Sequence, residues 1–278
     1  MFNWKESLEK EVAIVYYDQR GCGNAQGNID ETTISTSQYV ADLHAIITVL
    51  NNQYPDASVY LFGHSFGSFI GARYLLQENY QEHIEGWISM DGAYNFDFDL
   101  SWVYRREFLI GIAMEELAKG NKTQHWEAAL EWALENTVIS ERDQKNKFRE
   151  WIGNPGEIII PEELGALSLR DYLRIGFASS YNPFPSYASS NLELVNDLLN
   201  AEVEGINLMN QVHHLQLPTL FLWGKYDDLI TEQEGRAVFE KLGTDEAQKK
   251  FVLLPKSGHE PMFSDPERLN KELLIFTK

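Results

Sequence analysis

The chain has 278 residues, 44% of them apolar and 13% aromatic. That is enough for one large domain with an inserted subdomain or for two domains, and too apolar for a disordered chain. Asp and Glu number 42 against 23 Lys and Arg, a net charge of −19, and such a surface repels nucleic acid and anionic membranes as partners. The single cysteine, Cys22, excludes a disulfide within this chain and is compatible with a reducing compartment, so a cytoplasmic location is expected. No apolar run approaches a membrane span and no signal-peptide pattern opens the chain, so no transmembrane segment is expected; an upstream leader would change the location.

Val12-Ala13-Ile14-Val15-Tyr16-Tyr17 is uncharged, β-branched and aromatic, the composition of a central parallel strand buried on both faces. It runs into Asp18-Gln19-Arg20-Gly21-Cys22-Gly23, a polar loop in which Asp18 and Arg20 are expected to brace their own turn. Tyr39, Val40, Leu43, Ile46, Ile47 and Leu50 recur at helical spacing, which predicts an amphipathic helix over 36–54 ending before Pro55. Val59-Tyr60-Leu61-Phe62 then reads as a buried strand. It stops at Gly63-His64-Ser65-Phe66-Gly67, and a helix with small residues on one side follows at once. This is a G-x-S-x-G elbow in its required setting of strand, sharp turn and helix. The turn lifts the Ser65 hydroxyl above the sheet in a strained conformation, so the positions two before and two after it are expected to need residues without bulk. The helix aims its amides and positive dipole end at the same spot.

Residues 84–90 form another apolar strand, closing with Asp91-Gly92. Strand and helix alternate to this point, the rhythm of a parallel sheet wound with helices. After Asp91 the rhythm breaks. Helices are predicted over 102–119, 125–137, 142–151 and 164–175, punctuated by Asn154-Pro155-Gly156 and Tyr181-Asn182-Pro183-Phe184-Pro185. We read 92–213 as a helical insertion over the sheet, with 1–91 and 214–278 forming a discontinuous core. The aromatic stripes of the insertion read as helix packing, not a cofactor site, and no cofactor or metal is expected. Thr219-Leu220-Phe221-Leu222-Trp223 is the next buried strand, then a helix over 231–242, a last strand at 251–254, and a final helix starting near Asp265-Pro266.

A serine is a poor nucleophile at neutral pH unless a base lies within hydrogen-bond reach and a carboxylate orients that base. Ser65, Asp227 and His259 all fall in loops directly after predicted parallel strands, on the sheet edge where ligands of such sheets bind. His259 is the candidate base, because Ser257-Gly258-His259 follows the last strand. Asp227 is the first candidate for the acid, followed by its neighbour Asp228 and by Asp91, which ends the strand after the elbow. His64 is expected to line the substrate site, and His213 and His214 to be structural.

Asp18-Gln19-Arg20-Gly21-Cys22-Gly23 resembles the DQRGxG segment of proline iminopeptidase-like α/β-hydrolases. Gly63-His64-Ser65-Phe66-Gly67, Gly224-Lys225-Tyr226-Asp227 and Ser257-Gly258-His259-Glu260-Pro261 resemble that family's three catalytic loops. The resemblance covers the sheet portions; the insertion is similar to the family's helical cap in placement and character. It implies an α/β-hydrolase fold and a metal-free serine aminopeptidase or related hydrolase working through an acyl-enzyme, with a small peptide or ester as substrate. Ser65 would be the nucleophile, His259 the base, Asp227 the acid and the Phe66 amide an oxyanion donor. The alternatives are a carboxylic-ester hydrolase and a non-catalytic relative that binds a ligand through the cap. One motif of the family, His-Gly-Gly-Pro-Gly or similar, has no match here. It follows a strand that precedes the segment with which this chain begins. The family's first strands and half of its oxyanion hole are therefore expected to be absent, and the parent chain to be longer at its N-terminus. Without the intervening strand, the runs at 12–17 and 59–62 must pair directly or leave a gap.

Overall fold

The runs predicted at 59–62, 84–90, 219–223 and 251–254 become β1 (Tyr60–His64), β2 (Gly86–Met90), β3 (Thr219–Gly224) and β4 (Lys249–Leu254) of a single parallel sheet, ordered β1-β2-β3-β4. Tyr60 faces Gly86, Trp87 faces Thr219, and Thr219 faces Lys249 across the three ladders. The structure is a computed structural model that describes residues 4, 7–25, 29–138, 142–152 and 191–278. The predicted helix over 164–175 and the turns at 154–156 and 181–185 lie outside those residues. The chain divides into two compact units, Met1–Ala57 with Gly165–Glu204, and Ser58–Leu164 with Gly205–Lys278. The sheet lies wholly in the second.

Every residue of β2 and β3 is buried, whereas β1 and β4 are covered only in part. Continuous apolar runs such as Thr219–Trp223 suit strands packed on both faces. Two helices close on the sheet through glycines. A Cβ on Gly71 of α2 (Phe66–Leu75) would collide with Trp87 of β2, and one on Gly235, in the helix Glu232–Lys241, with Trp223 of β3. Both indoles are fully buried.

Between β2 and β3 the described chain runs through α3 (Phe98–Ala118), α4 (Thr123–Glu135), α5 (Arg142–Ile152) and α6 (Leu192–Val203); the helix Glu232–Lys241 is then α7. Asp97 caps α3 by accepting hydrogen bonds from the amides of Asp99 and Leu100. Trp102, Phe108, Leu109, Ile112, Trp126, Ala129, Phe148 and Ile152 form one apolar cluster joining α3, α4 and α5. Trp102 meets Phe148 edge to face with centroids 5.4 Å apart. The aromatic residues of these helices therefore spend their surface on each other.

In the first unit, α1 (Thr36–Gln53) buries Tyr39, Val40, Leu43 and Ile47, the predicted stripe. Ser35 caps it, accepting from the Gln38 amide. Glu202 of α6 accepts hydrogen bonds from Thr36 N at 2.7 Å and Thr36 Oγ1 at 2.6 Å, placing negative charge at the helix's positive end. Asp18 braces its turn as expected, through the Asn24 amide. Arg20 does not: its guanidinium reaches across to Asp42 of α1 in a two-pronged contact, Nε–Oδ2 2.9 Å and Nη2–Oδ1 2.7 Å.

Residues 12–17 are a correction. They form no strand, and Val15, Tyr16 and Tyr17 are exposed rather than buried. The ladder partner of β1 among the described residues is β2. The reason is that strand propensity is mostly propensity to pack and pair on a sheet. The described part of the first unit contains no strand to offer that ladder. The central strands are β2 and β3 instead.

Candidate active site

β1 delivers the chain to Ser65, whose backbone sits at φ 53°, ψ −120°, a region that L-residues avoid and that costs about 1–3 kcal/mol. Neighbouring backbone holds it there. Ser65 N donates to Met90 O at 3.0 Å, and Ala93 N donates to Ser65 O at 3.1 Å. Beneath the turn, buried Ser89 Oγ donates to Ser68 Oγ, which donates to Gly63 O at 2.9 Å. A Cβ on Gly63 would stand 2.6 Å from Gly67 O and Ser68 N, so glycine is obligatory at that position. Gly67 differs from the expectation: a Cβ there meets nothing within 4 Å among the described residues. Gly63→Ala should therefore cost about 3 kcal/mol through backbone displacement and Gly67→Ala well under 1 kcal/mol, measured by denaturant unfolding of the two variants.

Ser65 is the N-cap of α2, yet its side chain makes no capping hydrogen bond. Among the described residues the half-buried hydroxyl has no partner, which leaves it available for chemistry. Phe66 opens the helix, so its amide has no intrahelical acceptor and points out of the first turn. Its ring packs against Phe69 and Phe96.

The loops after β3 and β4 are drawn together at their bases. A Cβ on Gly224 would collide with Gly258 O, and Tyr226 N donates to Ser257 O at 2.9 Å. This brings Asp227 to His259. Asp227 is fully buried, and its Oδ2 lies 2.8 Å from His259 Nδ1. Its other oxygen accepts from Leu229 N at 2.9 Å and Ile230 N at 3.0 Å. A carboxylate with three donors is fixed in orientation. Nδ1 must then carry the proton, leaving Nε2 with a lone pair. Burial opposes charge on His259, but the hydrogen bond and charge of Asp227, with help from Glu260 and Asp228, outweigh it and raise the imidazole above its ordinary value.

His64 Nε2 lies 2.7 Å from His259 O, with the two rings 4.9 Å apart. A carbonyl only accepts, so His64 donates from Nε2. Burial, the largest influence, holds it neutral. The structure thus sets His64 against the loop of the candidate base. Of the rivals for the acid, neither Asp228 nor Asp91 bonds to His259. Asp228 is half-buried, and Asp91 lies behind Asp227, accepting from Gly224 N at 2.7 Å. The rings of His213 and His214 meet at a tilt, centroids 3.9 Å apart, in a short 3₁₀ turn that precedes β3.

Sequence reading missed the supports that α3 supplies. Lys225 Nζ meets Glu115 Oε1 at 2.9 Å and Oε2 at 2.8 Å, and Arg105 Nη2 donates to Leu229 O at 2.8 Å. The helix thus holds the Asp227 loop on both sides. No local pattern announces contacts separated by more than a hundred residues. Glu234 of α7 was missed too. It is 3% exposed, and its carboxyl is pushed up to about 7 from 4.5, first by burial and further by Asp227, against the opposing pull of Arg105 and Asn95. A raised acid stabilises the fold while protonated, so this contribution is complete below pH 4.5 and lost as pH rises through about 7. Glu234→Gln should remove that dependence and stabilise the protein at pH 8 by up to about 3 kcal/mol, read from urea midpoints across pH.

The chain matches the model of the alpha/beta hydrolase fold over residues 2–266. It is 18% identical over 272 residues to the probable aminopeptidase YbaC of Bacillus subtilis (strain 168), spanning 95% of this chain and 79% of that protein. Among solved structures, a hydrolase from Pseudomonas aeruginosa PA01 superposes with TM-score 0.57 at 16% identity, covering 99% of this chain and 84% of that one. An esterase from Exiguobacterium antarcticum gives 0.54 at 15% identity, covering 94% and 79%.

Proposed function

Because the chain belongs to the alpha/beta hydrolase fold family, we propose that it is a serine hydrolase that cleaves an amide or ester bond through an acyl-enzyme. The observation that carries this is the conjunction at one sheet edge of an uncapped, strained Ser65 with an Asp227–His259 contact of 2.8 Å. In this reading Ser65 Oγ attacks the substrate carbonyl carbon as its proton passes to His259 Nε2. The Phe66 amide donates to the oxygen that gains the charge, and Asp227 holds the imidazolium. The carbonyl then re-forms, the bond to the leaving amine or alcohol breaks, and that group takes the proton from Nε2. Water next attacks the acyl-enzyme, giving its proton to His259, and Ser65 departs with that proton restored. His64 positions the His259 loop and borders the substrate.

For the substrate we favour an aminopeptidase of the proline iminopeptidase type. The Asp18–Gly23 segment supports this, as does the likeness to a probable aminopeptidase; a carboxylic-ester hydrolase is the second choice. Residues 92–213 are proposed as the cap, with the sheet and its loops as the core. A fluorophosphonate probe should label the protein at Ser65, located by peptide mass spectrometry. A folded protein that resists the probe overturns the reading and turns the site into a binding pocket. Prolyl, alanyl and acyl-ester reporters compared side by side then separate the two substrate classes.

A further inference from the structure

Asp91 directly follows β2 and is fully buried, with a backbone φ of 44° that few side chains tolerate. Gly92 behind it could not carry a Cβ, which would strike Ser89 Oγ and Ser68. The carboxyl is therefore held in one place. Its Oδ1 accepts the Gly224 amide at 2.7 Å, and the same Gly224 residue accepts from Asp227 N at 3.3 Å through its carbonyl. One residue thus ties the two aspartates together. The other Asp91 oxygen, Oδ2, is sealed from solvent and receives no hydrogen bond.

Two carboxylates buried side by side do not both ionise, because their repulsion adds to the cost of removing each from water. The donors decide which keeps the charge. Asp227 has three, from Leu229 N, Ile230 N and His259 Nδ1, against one for Asp91, from Gly224 N. An ionised Asp91 would leave Oδ2 as a buried acceptor without a donor. A protonated one makes it an O–H that can give to the carboxylate beside it. Burial first, and then the charge of Asp227, hold the Asp91 carboxyl well above the usual carboxylate range. The charged group facing Asp91 is Asp227. Around Asp227 stand His259 from the loop after β4, Asp228 from its own loop, Glu234 from α7 and Arg105 from α3.

We infer that Asp91 carries a proton and donates it from Oδ2 to the Asp227 carboxylate, so that two buried aspartates hold one negative charge and Asp91 serves as a positioning residue for the acid. The positioning role rests on the hydrolase reading; the sharing of charge does not. Asp91→Asn keeps an acceptor for Gly224 N and a neutral donor toward Asp227. It should therefore leave the His259 titration, followed by imidazole NMR, within about 0.3 pH unit of wild type, with the labelling rate within about threefold. Asp91→Leu removes both groups and should lower kcat about 10–100-fold with little change in KM, the worth of a hydrogen bond to a charged group. If Asp91 were ionised, Asp91→Asn would remove a charge near the imidazolium and lower the His259 titration by about one unit or more; that result overturns the inference. Wild-type protein with 13Cγ-labelled aspartate should show one protonated carboxyl at pH 7 that persists in Asp228→Asn. Its absence overturns the inference even if neither Asp91 variant folds. Failure of wild type to react with the fluorophosphonate would sink the hydrolase reading alone, since both NMR measurements read the charge without turnover.

Discussion

Ser65→Ala is expected to abolish fluorophosphonate labelling and to lower kcat by about 10⁶-fold, the scale of losing an acylating nucleophile, with the fold intact by circular dichroism. Ser65→Gly should be equally inactive, and it should also be more stable. The backbone at φ 53°, ψ −120° is open to glycine and strained for serine, by about 1–3 kcal/mol. Part of the relief is offset by glycine's greater freedom in the unfolded chain. A net gain of about 1 kcal/mol should raise Tm by about 2–4 °C. Opposite signs on activity and stability at one position mark strain retained for chemistry. A glycine variant less stable than wild type would mean that the hydroxyl contributes to the fold.

Asp227→Asn should lower kcat by about 10⁴-fold while keeping the loop. The side-chain oxygen can still accept from Leu229 N and Ile230 N, but the amide nitrogen now faces His259 Nδ1. Nδ1 must accept, the proton moves to Nε2, and the ring can no longer take one from Ser65. Electrostatics moves in a defined direction as well. Asp227 raises His259, so its neutralisation lowers the pH at which the imidazole loses its proton. The acid limb of the residual rate should shift toward lower pH, checked by kcat/KM profiles of both proteins. An unshifted limb would remove Asp227 from the role proposed for it.

The elbow was legible in the sequence because its cause is local: a strand, a glycine that cannot carry a Cβ, and a serine at a turn. Asp227 and His259 were legible for a related reason. Parallel strands all end on one edge of the sheet, so residues just after β3 and β4 meet there wherever they fall in the chain. The spacing from Gly224 already favours Asp227 over Asp228, and the packing adds that Asp227 is the one that meets His259. The run at 12–17 failed for the opposite reason. Its composition describes what a strand prefers, and the neighbours that make a strand are not written in it. Gly67 misled on a smaller scale, because symmetry about the serine suggested a steric need that only Gly63 has.

The grip of α3 on the Asp227 loop has a mechanical consequence. Glu115 holds Lys225, two residues before the acid, and Arg105 holds the carbonyl of Leu229, two residues after it. Ten residues separate those two anchors along one helix, a rigid span of about 15 Å. Such a bar transmits displacement instead of absorbing it. If Asp227 acts as proposed, a group pressing on α3 would be felt at the carboxylate, where a misalignment of about 1 Å would cost about 100-fold in rate. In the proposed mechanism, whatever displaces this helix would therefore also change the rate of the chemical step.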